Sequence, residues 1–585
     1  MDVRPPRAAR LLAPLAPALI LLALAAPAGA QQLRQAPTLD RPPPFHTLSA
    51  RRAIAIARAD PKVRAERRER GPMAAYAYLD GPLHWQVSFF RGGKERAQAI
   101  VDDPSGAVLE SWTGWQVPWK MARGYSGQFG GKLNAPYVWL PLCLLFLLPF
   151  VDPRRPLRLL HLDLLALLAF GASHVFFNRG DISVSVPLVY PVMAYLLARM
   201  LWIGFGRGRH RPRRVFPVVP AAWVALAVLF LVGFRVALNV AESSVIDVGY
   251  SGAIGAHRIA TGHGLYTGRF APDSEHGDTY GPVNYLLYVP FERALGFDGE
   301  WDDLPAAHAA ALAFDLLTLV GLFMLGRRMR AGPRGRELGV ALAFAWTAYP
   351  YSTFALQSNS NDSAVAMLLV WALVGLSSAP ARGALAGLAA AAKLAPAAVA
   401  PVLAVGRGGS RRSTAVALAA FAAVVAAAFA PFLPSGGVAN VWDRTLGYQA
   451  GRESPFSIWG QHESLAPLHA AAVVAAAALV LVTPFLPRGR RSTAQVAALA
   501  AVALIAVQLT AQHWFYLYVV WFAPPVLVAL LVPLSPEPEP EPARWRSRGR
   551  RRRPRSGPRS ATDPRPRSRT GPASSSETAR APARA

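Results

Sequence analysis

Apolar positions change texture along the chain. After residue 136 they form long runs near the length needed to cross a hydrocarbon core of about 30 Å. These are Pro136–Val151, Leu159–Phe177, Val184–Phe205, Phe216–Val240, Ala306–Leu325, Leu338–Leu356, Ser363–Leu376, Thr414–Phe432, Leu465–Leu486, Ala494–Thr510 and Phe515–Val532. With a further segment at Gly383–Val405, the pattern predicts an all-α polytopic membrane protein of about 10–13 membrane helices. Residues 31–135 read differently. Ser49–Arg70 has helical spacing at Ala53, Ile54, Ile56 and Ala57, interrupted by Pro61. Four strand-like runs follow, Met73–Leu79, His84–Phe90, Arg96–Val101 and Ala107–Thr113, and predict a small α+β domain ending in a meander.

The two ends of the chain carry their own signals. Arg4, Arg7 and Arg10 precede the apolar stretch Leu11–Ala26 and the small residues Ala28-Gly29-Ala30. That pattern predicts a signal peptide over 1–30 cleaved after Ala30, with an uncleaved anchor helix as the alternative. Residues 535–585 alternate Pro and Glu and then become rich in Arg, Pro and Ser, a composition that forms no core. Such a tail is expected to be disordered and drawn to anionic lipid headgroups, each nearby arginine contributing about 1 kcal/mol.

Composition agrees with a membrane protein: 585 residues, 53% hydrophobic and 16% charged. The net charge of +28 suggests nucleic acid at first sight. The arginines, however, cluster between apolar runs and in the tail, which is the distribution that orients membrane proteins, and no nucleic-acid partner is expected. The single cysteine, Cys143, lies in an apolar run and excludes a disulfide framework. Placing each arginine cluster on the cytoplasmic side threads the chain: Arg154, Arg155 and Arg158, then Arg207–Arg214, Arg327–Arg336, and Arg488, Arg490 and Arg491. Arg407, Arg411 and Arg412 obey this rule only if Gly383–Val405 is a broken re-entrant hairpin turning at Lys393-Leu394-Ala395-Pro396. Three polar segments then share the outer face: Ser243–Glu292, the QSNSND turn at 357–362, and Leu433–Ser464.

Candidate chemistry concentrates there. Asp247 follows the fourth apolar run, where a carboxylate either takes a proton from an acceptor hydroxyl or caps a helix over Val248–Ile259. Lys393 at mid-membrane costs about 2.5–3.5 kcal/mol, so it either binds an anion or snorkels. Arg258, Arg444 and Arg452 are further outer cations. His257, His263 and His276 share their loop with Asp273, Glu275 and Asp278, but the spacing fits no ligand pattern. No cofactor is expected, and a divalent metal lacks support. Tyr280-Gly281-Pro282 reads as a turn into a short interfacial helix. Asn361 and Asp362 either bind sugar hydroxyls or cap the helix they open. Gln461, His462 and Glu463 are weaker candidates for the same cavity, and Asp315 is an intramembrane acid in need of a partner.

The order of a span, an Asp-bearing outer loop, DTYGPVNYLLYVPFE, SNSNDSA, a Lys-Leu-x-Pro hairpin and a late GQHESL loop resembles the GT-C superfamily of membrane glycosyltransferases. Within it the chain is similar to the polyprenol-phosphate-mannose-dependent type, glycosyltransferase family 87, over roughly residues 216–533. VDDPSGAVLESWTG resembles a PepSY-like domain. The resemblance implies a 31–135 outer domain, additional membrane helices over 136–215 and a GT-C-like core over 216–534. It implies a bacterial plasma-membrane enzyme, multi-pass, with its site outside and its tail in the cytoplasm. The reaction implied moves mannose, or another hexose or pentose, from a polyprenyl-phosphate donor to a glycolipid, polysaccharide or glycoprotein. Transfer inverts at the sugar carbon. Asp247 becomes the base, Lys393 and Arg258 hold the donor phosphate, and Tyr280, Asn361, Asp362, Gln461 and His462 bind substrate. A transporter or lipid flippase with a sensory N-terminal domain is the alternative, but the broken hairpin has no counterpart in another half of the chain.

Overall fold

The computed structural model describes residues 33–124, 129–206, 215–270, 274–297, 299 and 304–533. The expected signal peptide, the basic tail, the arginines at 207–214 and Asp273 lie outside the described residues.

The N-terminal domain forms as its pattern predicts. Ser49 accepts a hydrogen bond from Arg52 N and opens the helix Ala50–Ala59. Pro61 then serves as the first residue of a second helix, Pro61–Arg70, capped by the Asp60 carboxylate on Lys62 N and Val63 N. Among the described residues the sheet has five antiparallel strands, in spatial order β1 (Arg34–Gln35), which precedes the helices, β2 (Ala74–Asp80), β3 (His84–Arg91), β4 (Lys94–Asp102) and β5 (Val108–Thr113). The short β1 carried no pattern of its own. Ala53, Ala57, Trp85, Val87 and Ala99 close a small core between helices and sheet. Buried Asp103 ties the entry of the first helix to the sheet, accepting from Thr47 N and Oγ1, Leu48 N and Trp85 Nε1.

The remainder is helical. Among the described residues six helices are long and apolar enough to cross a membrane: Leu159–Asn178, Ile182–Phe205, Ala221–Glu242, Pro305–Met329, Arg411–Phe432 and Glu463–Val482. Five shorter apolar helical segments join them, Pro136–Phe150, Asp362–Val374, Ala395–Val405, Thr493–Leu509 and Tyr516–Leu531. The protein is thus a polytopic helical membrane protein with a small sheet domain. The run Leu338–Leu356, read as one span, is two helices, Gly332–Thr347 and Pro350–Gln357. Pro350 has no N–H to continue the first helix and holds Tyr349 extended. The carbonyls freed at the break, Trp346 O and Thr347 O, accept from the buried Arg235 guanidinium at 3.2 and 3.1 Å. That arginine also pairs with Asp315 at 2.5 Å, so the intramembrane acid does have a partner.

Gly383–Val405 breaks where expected: the helix Ala379–Ala392 ends at Lys393, and Ala395–Val399 and Ala400–Val405 return. Its two ends meet, because Arg382 Nη2 donates to Ala404 O at 3.1 Å. Gly383 permits the close packing of this hairpin, since a Cβ there would lie 2.0 Å from Ala417 O. Other contacts gather the arginine-rich helix ends together. Arg328 reaches Val374 O, Arg382 reaches Leu376 O, Arg491 N reaches Arg407 O and Gln495 reaches Gly206 O. The opposite end collects the 243–292 segment, the 357–362 turn, the Lys393 break, the 433–464 segment and Phe515–Tyr518.

Neutralising Asp315 as Asn leaves Arg235 buried without a counter-charge. A loss of about 3–5 kcal/mol is expected, read as a lower melting temperature in detergent, with most of it recovered in Arg235→Met/Asp315→Leu.

Candidate functional site

Asp247 is set by the backbone around it. Residues 243–246 run as an extended strap against the 357–362 turn, Ser244 N donating to Gln357 O and Ile246 N to Ser358 O. Asn359, in the left-handed region at φ 44°, staples the two, donating to Ser243 Oγ and Ser244 O and accepting from Asn239. Gly249 leaves the room this requires: a Cβ there would meet Asn359 O at 2.2 Å. Asp247 is the first residue of the helix Asp247–Ala260, and among the described residues its carboxylate accepts only the adjacent Val248 N. It is not spent as a cap on the first turn.

The Asp247 side chain is exposed, yet protein surrounds it, as for a residue lining a concave cavity. That surrounding protein pushes its pKa up, as does the like charge of Asp362, while Val248 N–H, Arg452 and Lys393 pull it down. One carboxylate therefore stands among two cations and a second acid.

Lys393 and Asp362 form the floor. Lys393 Nζ lies 2.5 Å from Asp362 Oδ1, with both side chains buried. Trp521 Nε1 donates to the same oxygen at 2.8 Å, and Ser360 Oγ donates to the other. Tyr280, Tyr518 and Trp521 place their rings 5.2, 5.8 and 5.2 Å from the ammonium. Tyr280 is held there because Gly281 docks on the hairpin break, Gly281 N donating to Ala392 O. A Cβ on Gly281 would sit 2.0 Å from Ala391 O. Neither bland expectation holds for these residues: Lys393 does not snorkel, and Asp362 is no cap. Their charges cancel each other. Asn361, beside them, donates to Asn284 Oδ1 at 2.9 Å.

Arg452 is different. It is half-buried between the rings of Trp119 and Tyr448, at 5.0 and 5.9 Å, and its Nε is buried without a hydrogen-bond partner. No ion pair neutralises it among the described residues. His513 lies nearby, held through Nδ1 by Ser454 Oγ at 2.9 Å and kept neutral by burial and by the Arg452 charge.

The other candidates fall elsewhere. Arg258 is committed to its own loop, donating to Gly264 O, Arg269 O and Thr267 Oγ1. Arg444 pairs with Asp278 at 2.7 Å. Gln461 anchors its segment through Ile182 O and Pro455 O, and His462 is exposed. His257 pairs with Glu292 at 2.9 Å. Among the described residues no three His, Cys, Asp or Glu side chains converge as metal ligation requires. Tyr518, Trp521 and Trp119 gave no signal in sequence, because aromatics near span ends also form interface belts.

Asp247, Asp362, Lys393 and Arg452 thus form a polar cluster at one end of the helix bundle. Residues 279–512 match the model of Glycosyltransferase family 87, and the chain is a glycosyltransferase. The match spans Tyr280, Asp362, Lys393 and Arg452, while Asp247 precedes it. No curated protein and no solved structure matches the chain.

The two cations should separate experimentally. Lys393→Ala strands a buried Asp362 and should destabilise by about 3–5 kcal/mol, with Lys393→Met/Asp362→Leu recovering much of the melting temperature. Arg452→Ala, removing a charge that no carboxylate neutralises, should melt as the parent does.

Proposed function

We propose that the protein transfers a sugar from a polyprenyl-phosphate donor to a hydroxyl of an acceptor outside the cytoplasm, in a single inverting displacement. The observation that carries this reading is the accessible Asp247 carboxylate in a protein-walled cavity shared with an unpaired arginine, Arg452. Asp247 takes the proton of the acceptor hydroxyl. The acceptor oxygen attacks the sugar carbon from the face opposite the phosphate, and the bond from that carbon to the phosphate oxygen breaks. Negative charge then grows on the departing lipid phosphate, where a preorganised cation lowers the barrier. Arg452 suits that role better than Arg258, whose donors are occupied, or Lys393, whose charge Asp362 cancels. Lys393 and Asp362 serve instead to fix Tyr280 and the hairpin break beside the reacting groups.

A lipid-linked donor is supported by where Arg452 sits. Its segment hangs between Arg411–Phe432 and Glu463–Val482, helices with only 6% of their apolar windows buried in protein. A polyprenyl chain lying along such helices brings its phosphate to the segment that joins them. Mannose, or another hexose or pentose, is the sugar proposed, and a glycolipid, polysaccharide or glycoprotein the acceptor. The sheet domain and the site are proposed to lie on the outer side, since the arginine-rich helix ends gather at the other end of the bundle.

Asp247→Asn should lower transfer from labelled polyprenyl-phosphate mannose by about 10²–10⁴-fold, the usual contribution of a positioned base, with unchanged protein in the membrane. Transfer at the parent rate would refute the assignment. The upward pKa shift also sets a pH dependence. The base works only when ionised, and burial favours its protonated form, so kcat/KM should fall as pH drops through a midpoint above the ordinary 3.8. A profile flat down to that value would oppose it.

A further inference from the structure

We infer that the segment leading out of the sheet domain is a wall of the transfer site, and that Trp119 on it is a positioning residue for Arg452. The inference rests on the reading of Arg452 as the phosphate-binding cation. Trp119 lies far outside residues 279–512, the part of the chain that matches the family.

The contacts are specific. The Trp119 ring faces the Arg452 guanidinium at 5.0 Å and packs on Phe456 at 5.5 Å and His513 at 5.6 Å. Arginine stacks its planar face on an aromatic ring and keeps its edge donors free, an arrangement open to an arginine with no carboxylate partner. Stacking fixes the plane of the fork and so the direction of its N–H groups, which decides how well it meets a phosphate. The ring does for Arg452 what a carboxylate does elsewhere in this protein, without cancelling the charge.

Trp119 is itself held from both sides. Trp119 N donates to Trp115 O, and Ala122 N donates to Trp119 O. Arg123 bridges the segment to the sheet, donating to Gln116 O and to Gln98 of β4. On the membrane side, Gly124 lies so close to the turn at Gly180 that a Cβ would approach its N to 2.0 Å. Gln116 Nε2 also donates to Gly180 O. The segment is therefore clamped between the sheet and the turn joining two membrane helices, and Trp119 projects from the clamp onto Arg452. A sheet domain of no evident chemistry acquires a function: it sets the orientation of the donor-binding cation.

The test uses full-length protein in nanodiscs and binding of a polyprenyl phosphate, the part of the donor common to any sugar. Trp119→Leu, which keeps an apolar side chain but removes the ring, should weaken binding about tenfold. Trp119→Phe should stay within about threefold of the parent. In an Arg452→Ala background Trp119→Leu should change nothing further, because its effect passes through the missing guanidinium. A folding defect would instead reduce the bound fraction equally in both backgrounds, so equal losses overturn the inference, as does parent-like binding by Trp119→Leu. If Arg452→Ala also binds as the parent does, or if the parent binds no polyprenyl phosphate, the donor reading fails and Trp119 falls with it. Loss on Arg452→Ala with none on Trp119→Leu removes only the inference.

Discussion

An ammonium and a carboxylate buried together at a helix break hold this molecule's working end in place. Lys393 sits where the hairpin backbone is interrupted, and Asp362 opens the helix facing it. Alone, either charge would be far too costly to bury. Together, with Trp521 and Ser360 hydrogen-bonded to the same carboxylate, they are tolerated, and the geometry that satisfies them is narrow. The hairpin cannot slide along its neighbours without exposing or separating the pair. Everything docked on the break inherits this fixity: the Gly281 turn, the Tyr280 ring and the aromatic end of the last helix.

The same rule of cancellation runs through the interior. Arg235 meets Asp315, Arg199 meets Asp163, and Arg444 meets Asp278. Other buried arginines, Arg123, Arg382 and Arg491, are met by backbone carbonyls or an amide instead of a carboxylate. Asp247 is exposed and makes no direct ion pair among the described residues. Arg452 is unpaired and shielded by rings.

Much of the architecture was legible in the residues. Period-2 runs bounded by turns located four strands within a residue or two, and Pro61 marked the boundary between two helices. Arginine counting required a hairpin at Gly383–Val405, and its two ends do meet. Where the reading slipped, the cause was local chemistry acting against an apolar run: Leu338–Leu356 is mostly apolar, yet Pro350 breaks it and Arg235, more than a hundred residues earlier, satisfies the break. The site was legible in kind rather than in role. Asp247 and Lys393 stood out because charge near or within a membrane is expensive. Spacing could not reveal that Lys393 is neutralised, that Arg258 is bound into its own loop, or that Gln461 is tied to Ile182 O and Pro455 O.

The sequence by itself determined the helical membrane class, the sheet domain and the segments bearing polar chemistry, because each depends on local composition or on a period of a few residues. Tertiary structure alone decided which charges cancel and which stay free. Lys393 finds Asp362 across thirty-one residues of chain, and Trp119 reaches Arg452 from the other end of the protein. Pairing energies depend on distances of a few ångströms in a medium of low dielectric constant, and only the folded chain sets those distances.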